Sequence, residues 1–260
     1  MPYSLLTCTA RVASNVMQTL VALLILATTA PATAPSPPTY RCVATTQPIN
    51  IDGKLDDPAW QSAVWTSDFV DIEGADRPPP ALRTRAKLLW DSTNLYLAAE
   101  LQETDVRAEM RDRDDPLFRE NAFELFLDPD NDGRNYLELE INALNTVFDL
   151  IMDKPYRAGG HSDDAFTIEG MKTAIHIDGT LNDPSDHDRA WTIEIAIPWK
   201  SIKSLAPRAV PPTTGSRWRI NLARCEYTRG ERGVKFSTWS PHGAVNMHLP
   251  DKWGWLEFVR

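Results

Sequence analysis

Residues 121–152 read NAFELFLDPDNDGRNYLELEINALNTVFDLIM, and this stretch constrains the fold more than any other. Phe123, Leu125 and Leu127 fall on one face of an extended chain, while Ala122, Glu124, Phe126 and Asp128 fall on the other. Leu137, Leu139 and Ile141 then alternate with Glu138, Glu140 and Asn142. Successive side chains of a strand point to opposite faces, so this alternation predicts an antiparallel sheet with one buried face. The opposite face carries carboxylates, an amide and an aromatic ring, which can hydrogen-bond a polar ligand. No nucleophile-and-base pair is visible on it.

The rest of the chain repeats the pattern in short pieces. Strands are expected near 65–70, 83–90, 94–103, 121–128, 135–143, 145–152, 170–178, 191–198, 217–226, 234–239 and 254–259. In WTIEIAIP, Ile193, Ile195 and Ile197 alternate with Thr192, Glu194 and Ala196, the mark of a half-buried strand. Residues 49–53 read as a strand end running into a turn. Asp57-Pro58-Ala59-Trp60 begins a short helix, with aspartate as N-cap and proline at the first helical position. Residues 199–205 form one helical turn. Residues 104–120 crowd eight charged side chains between Asp105 and Asp115 and predict a long surface loop, where binding residues often sit. Many short strands, 20 prolines against 12 glycines and no helix-length apolar pattern indicate an all-β fold. The expectation is a single antiparallel β-sandwich with jelly-roll or immunoglobulin-like layers. Without a second linker or an internal repeat, residues 40–260 form one domain.

The N-terminus has the form of a secretory signal. Arg11 precedes an apolar run from Leu20 to Ala27, and small residues follow in ATTAPATA. Cleavage is expected within Ala30-Pro31-Ala32, leaving residues 1–32 as signal peptide and 33–39 (TAPSPPT) as a proline-rich linker. The apolar run is too short to span a bilayer, so no membrane span is expected in the mature form, although an uncleaved anchor is the alternative. The localisation that follows is secreted or periplasmic. A net charge of −9 argues against nucleic acid as partner, because phosphate binding needs a basic surface. Once Cys8 leaves with the signal, Cys42 and Cys225 remain, either paired as a disulfide or separately buried.

The ordered set IDGKLDDPAW, LLWDSTNLYLAAEL, NAFELFLDPDNDGRNYLELEIN, WTIEIAIPWKSI, WRINLARCEY, STWSP and DKWGWLEF resembles the family 9 carbohydrate-binding modules and their DOMON-related β-sandwich relatives. The resemblance covers about residues 40–260. It implies a non-catalytic β-sandwich that binds sugar chains, often at their ends, between two aromatic rings, in support of polysaccharide breakdown. Phe118 stands where the family places one clamp tryptophan, and Glu124 where it places a ligand-bonding carboxylate. Two positions depart from the pattern. Glu140 replaces a basic ligand residue, and Asn246-Met247-His248 occupy the segment expected to hold the second clamp tryptophan.

The candidate ligand-binding residues are therefore Phe118, Trp239 and Trp253 for stacking, with Glu124, Glu140, Asn142, Arg85 and His248 for hydrogen bonds. Each has a structural alternative: the tryptophans pack in the core, and the acidic face is merely solvated. Asp128, Asp130 and Asp132 have the D-x-D-x-D-G spacing that converges oxygens on calcium. Leu139 stands at the twelfth loop position and strands flank the loop, which excludes an EF-hand. A simple calcium loop and a polar hairpin turn remain, and no cofactor is required. Two other readings share this chain. Glu124 and Glu140 can act as the carboxyl pair of a glycoside hydrolase. Met152, Met171, Met247 and the histidines can supply haem ligands, as in electron-transfer DOMON relatives. The partner enzyme and the sugar itself stay unidentified at this level.

Overall fold

Alternation along the chain becomes two β-layers around one shared core. The structure, a computed structural model, describes residues 36–260. The expected signal peptide and residues 33–35 of the expected linker lie outside the described residues. Among the described residues no helix is long and apolar enough to cross a membrane.

Thirteen strands form the sheet: β1 (Thr39–Ala44), β2 (Val70–Asp71), β3 (Thr84–Trp90), β4 (Asn94–Gln102), β5 (Ala122–Asp128), β6 (Tyr136–Asn142) and β7 (Val147–Met152) come first. There follow β8 (Ser162–Asp163), β9 (Lys172–Asp178), β10 (Ala190–Pro198), β11 (Arg217–Glu226), β12 (Lys235–Thr238) and β13 (Gly254–Val259). One helical turn, α1 (Trp199–Ile202), follows β10. Hydrogen bonding runs in the order β8-β7-β6-β5-β11-β13-β1-β3-β4-β10-β9, with β12 beside β11 and β2 beside β12. Neighbours are antiparallel except β1, which runs parallel to both β13 and β3.

The path folds back on itself, so that the apolar faces of its two halves meet. Phe123, Leu125 and Leu127 of β5 and Leu137, Leu139 and Ile141 of β6 are buried in one cluster. Leu95, Leu97 and Leu101 of β4 and Ile193, Ile195 and Ile197 of β10 belong to the same cluster. The register sets Phe123 opposite Ile141, Leu125 opposite Leu139 and Leu127 opposite Leu137, which keeps each apolar stripe whole. Trp199, Trp218 and Phe258 close one end of this core with edge-to-face contacts. Arg224 of β11 crosses the interior to reach β4. Its Nη2 lies 2.7 Å from Glu103 Oε2, and its Nη1 donates to the Gln102 carbonyl at 2.7 Å.

Three local expectations are corrected. Residues 65–69 form no strand; they run beside β3 through isolated bonds, such as Thr66 N–H to the Ala86 carbonyl at 2.8 Å. Residues 49–53 form no strand either, because Glu194 Oε2 accepts the amides of Asp52 and Gly53, each at 2.9 Å, and holds a bend. Gly53 has φ +85°, and a Cβ there would strike the Ile175 backbone. The helix at Pro58–Ser62 is a 3₁₀ turn, and Asp57 does not cap it, since Asp57 Oδ2 accepts the Asn50 amide instead.

Candidate functional site

The second face of β5 and β6 is not a solvated surface. Every residue of both strands is buried. Part of that face packs dry: Ala122, Phe126 and Tyr136 join Phe148, Leu150, Met152, Leu117 and Trp253 in a second apolar cluster. The loops at 110–118 and 242–253 supply much of the cover, which no strand pattern shows. Between cover and sheet they leave one cavity of about 450 Å³.

Three glutamates form its floor. Glu124 of β5 stands directly opposite Glu140 of β6, and Glu138 precedes Glu140 by one pleat on the same face. Phe148 and Leu150 of β7 extend the floor, opposite Glu140 and Glu138. The walls come from distant segments: Phe118, Tyr156, Ser162, Asp164, Phe236 and the run Val245–His248. Phe118 (42% exposed) and Tyr156 (52% exposed) are two of the few large hydrophobic side chains that reach solvent.

Hydrogen bonds fix these walls. The Tyr227 hydroxyl donates to the Phe118 carbonyl at 2.9 Å. Asn142 Nδ2 donates to the Met110 carbonyl at 2.8 Å and to Glu120 Oε1 at 2.6 Å, tying the loop that carries Phe118 to the end of β6. On the other side, His242 Nδ1 donates to the Asn246 carbonyl at 2.6 Å, so its Nε2 accepts from Asn221 Nδ2 at 3.1 Å. His248 Nδ1 lies 2.9 Å from the Tyr136 hydroxyl, and its ring meets Tyr156 edge-on at 4.6 Å.

The electrostatics follow from burial. Glu124 is pushed up to about 7, against an ordinary value of 4.5, chiefly because water is excluded from it. Burial first, and then their neighbouring glutamates, push Glu138 and Glu140 well above the same value. His248 is lowered to about 4 by burial and is neutral near pH 7, so its approach to Glu138 at 3.8 Å is no ion pair. Cys225 Sγ donates to Glu124 Oε1 at 2.8 Å. Glu124 Oε2 and Glu140 Oε2 are buried and have no partner. A floor of protonated carboxyls can donate to or accept from a hydroxyl. Burial raises all three of these carboxyls together, so the floor does not pair a raised acid with an ordinary ionised carboxylate.

Of the eight residues expected to bind ligand, the cavity gathers Phe118, Glu124, Glu140 and His248. The other four lie elsewhere. Asn142 is fully buried, with its amide spent on the loop contacts above. Arg85 sits on β3 in the other half of the sheet, 4.1 Å over the Trp65 ring and bonded to Glu100. Trp239 is buried in the main core, edge-on to Tyr40, with its ring against Gly254. Trp253 is fully buried beneath the cavity, packed on Phe126 and Tyr136, and donates through Nε1 to the Met247 carbonyl at 2.9 Å. Glu138, Phe148, Tyr156, Phe236 and Asp164 went unread as site residues. Only Glu138 and Phe148 had a visible signal, since strand alternation sets them on the same face as Glu140.

Outside the cavity, the oxygens of Asp128, Asp130 and Asp132 lie within 4.8 Å of one another. Asp128 is buried and uses both oxygens to accept the amides of Asn131 and Gly133, each at 2.9 Å. Burial pushes its carboxyl up to about 6. These bonds make a closed hairpin turn from the aspartates themselves. Of the two alternatives for the cysteines, the structure has separately buried thiols: Cys42 and Cys225 are free and buried. Cys42 points into the core between the layers, whereas Cys225 lies on the opposite face of β11 beside Glu124. Of the three methionines read as haem ligands, Met152 is buried in the second cluster, Met171 packs on the main core, and Met247 lines the cavity next to His248, which bonds to Tyr136.

Comparison with solved structures finds the same architecture. A Bacteroides uniformis protein inferred to bind carbohydrate superposes with a TM-score of 0.64 at 17% identity, covering 86% of this chain and all of its own length. A carbohydrate-binding module of family 9 from Caldicellulosiruptor kristjanssonii, in complex with cellotriose, gives a TM-score of 0.57 at 16% identity, covering 85% of this chain and 93% of that one. The same organism's family 9 module in complex with glucose gives 0.57 at 18% identity, covering 85% of this chain and 96% of that one. At such identities the likeness establishes the fold alone. No curated protein matches the chain. The family model described as carbohydrate family 9 binding domain-like matches residues 51–260, and the chain belongs to that family.

Proposed function

We propose that the protein binds a saccharide in the cavity above β5, β6 and β7 and releases it unchanged. The observation that carries this reading is the pair of unpartnered oxygens, Glu124 Oε2 and Glu140 Oε2, buried at the floor of a cavity whose mouth holds Phe118 and Tyr156. A buried polar atom without a partner costs free energy until a ligand satisfies it. Sugars present hydroxyls to such atoms and C–H faces to aromatic rings, and the cavity volume falls within the range of small-ligand sites. Family membership and the sugars held by the related modules point the same way. Binding is favoured over hydrolysis because burial raises all three floor carboxyls alike, whereas the acid and base of a glycosidase need environments that push their pKa values apart.

The N-terminal signal-like segment supports a secreted or periplasmic protein, and the family supports a role beside enzymes of polysaccharide breakdown. The Asp128 loop is read as a polar hairpin turn in preference to a calcium loop, on the amides of Asn131 and Gly133 that Asp128 accepts. Calorimetric titration with mono- and oligosaccharides tests the reading when repeated on Phe118→Ala. Losing one stacked ring weakens binding by about 1–3 kcal/mol. An affinity unchanged by the substitution removes Phe118 from the site, and no saccharide binding at all overturns the reading.

A further inference from the structure

We infer that the saccharide this cavity prefers carries a protonated amine: an amino sugar, or an oligosaccharide containing one. This rests on the sugar-binding reading and names the chemistry of the ligand. Glu124, Glu138, Glu140 and Asp164 line the cavity, and among the described lining residues there is no lysine or arginine. Arg119 stacks over the Phe118 ring at 5.4 Å, but it lines a separate cleft with Glu109 and Glu120.

A neutral sugar leaves that excess of acidic groups as it is. An ammonium group answers it, because its three donors match the unpartnered oxygens of Glu124 and Glu140, and the pair formed is a charge-assisted hydrogen bond. The rings of Phe118 and Tyr156 at the mouth attract a cation through their faces as well. A metal ion fits less well: among the described residues only the Asp128 loop brings three ligand oxygens within 4.8 Å.

A protonated glutamate gives its proton to the solvent, and the carboxylate left behind pairs with the incoming ammonium. The other titratable groups around the site are Cys225 of β11, Tyr156 and Asp164 on the segment after β7, and His248 in the last long loop. Burial raises Cys225 and Tyr156, so both stay protonated near pH 7, and His248 is lowered to about 4, so it supplies no competing positive charge.

The test is calorimetry on the whole protein near neutral pH with glucosamine, N-acetylglucosamine, glucose and their short oligomers, plus putrescine as a plain amine. Two buffers of different ionisation enthalpy count the protons. The amino sugar is expected to bind at least about tenfold tighter than either neutral form, the scale of one hydrogen bond to a charged group. Proton release should accompany its binding and not theirs. Glu140→Gln and, independently, Glu124→Gln should shrink the amino-to-neutral ratio. Equal or weaker binding of the amino sugar overturns the inference while sugar binding stands. Putrescine binding as tightly as the amino sugar also overturns it, by removing the sugar. If no saccharide binds, both readings fall together.

Discussion

Glu124 and Glu140 face one another across the β5–β6 ladder, each buried and each with one carboxyl oxygen that nothing in the protein satisfies. Two acids in that relationship cost stability unless they are protonated, so the fold has placed its proton-dependent strain at the floor of its ligand cavity.

The strain has a sign. Burial holds Glu124 at about 7, against 4.5 ordinarily, so the folded protein keeps a proton that the unfolded chain gives up. Stability therefore falls as pH rises through that window, and Glu124 contributes on the order of 3 kcal/mol to the fall at 1.36 kcal/mol per unit. Glu138 and Glu140 act in the same direction. Urea melts at about pH 5 and about pH 8 should show a smaller loss in Glu124→Gln than in wild type. Equal losses would contradict the raised carboxyl.

Two aromatic residues near the site should behave oppositely. Phe118 is 42% exposed, so Phe118→Ala should leave stability within about 1 kcal/mol while weakening saccharide binding. Trp253 is fully buried, and Trp253→Ala should cost about 3–5 kcal/mol of stability. Thermal melts paired with titrations separate the two, and a stable Trp253→Ala protein with lost binding would return Trp253 to the site.

Arg224 should be a stability residue. It is buried, 2.7 Å from Glu103 and 3.5 Å from Glu226. Arg224→Met leaves those carboxyls without their cation, at a cost of about 3–5 kcal/mol in denaturant unfolding. A loss below about 1 kcal/mol would show that the pair contributes little beyond its own desolvation.

Free, buried thiols at Cys42 and Cys225 predict a simple titration. Neither should react with a thiol reagent in the native protein, and unfolding without reductant should expose two additional thiols. Reducing agent should leave the melting temperature unchanged. A drop on reduction would restore the disulfide.

The Asp128 loop should be indifferent to chelators, since the amides of Asn131 and Gly133 already hold its turn. Asp128→Ala should cost about 1–3 kcal/mol through the two amides left unbonded. A melting temperature that rises with added calcium and falls with chelator would make the loop a cation site.

Strand alternation carried most of the fold. The stripes Phe123-Leu125-Leu127 and Ile193-Ile195-Ile197 are readable because a strand has a period of two, and each lies in the core. What alternation does not carry is the cover on the far side of a strand. Glu124 and Glu140 read as a solvated or ligand-facing row, yet the row is buried because the loop at 110–118, the segment after β7 and the remote run at 242–253 fold over it. Tyr156, Phe236 and Asp164 reach the cavity from connections without periodicity. Trp239 and Trp253 were readable only as aromatic side chains near turns, and burial set them apart from Phe118. Arg85 lies two strands before Glu124 in sequence order, but the hydrogen-bonded order puts β3 in the other half of the sheet.

The most direct test is a crystal structure of the protein with the tightest-binding saccharide from the titrations. A sugar ring is expected in contact with Phe118, with a hydroxyl or amine within hydrogen-bond reach of Glu124 or Glu140. Density for the sugar anywhere else, such as on Trp65 and Arg85 over β3, with the cavity empty, would contradict it.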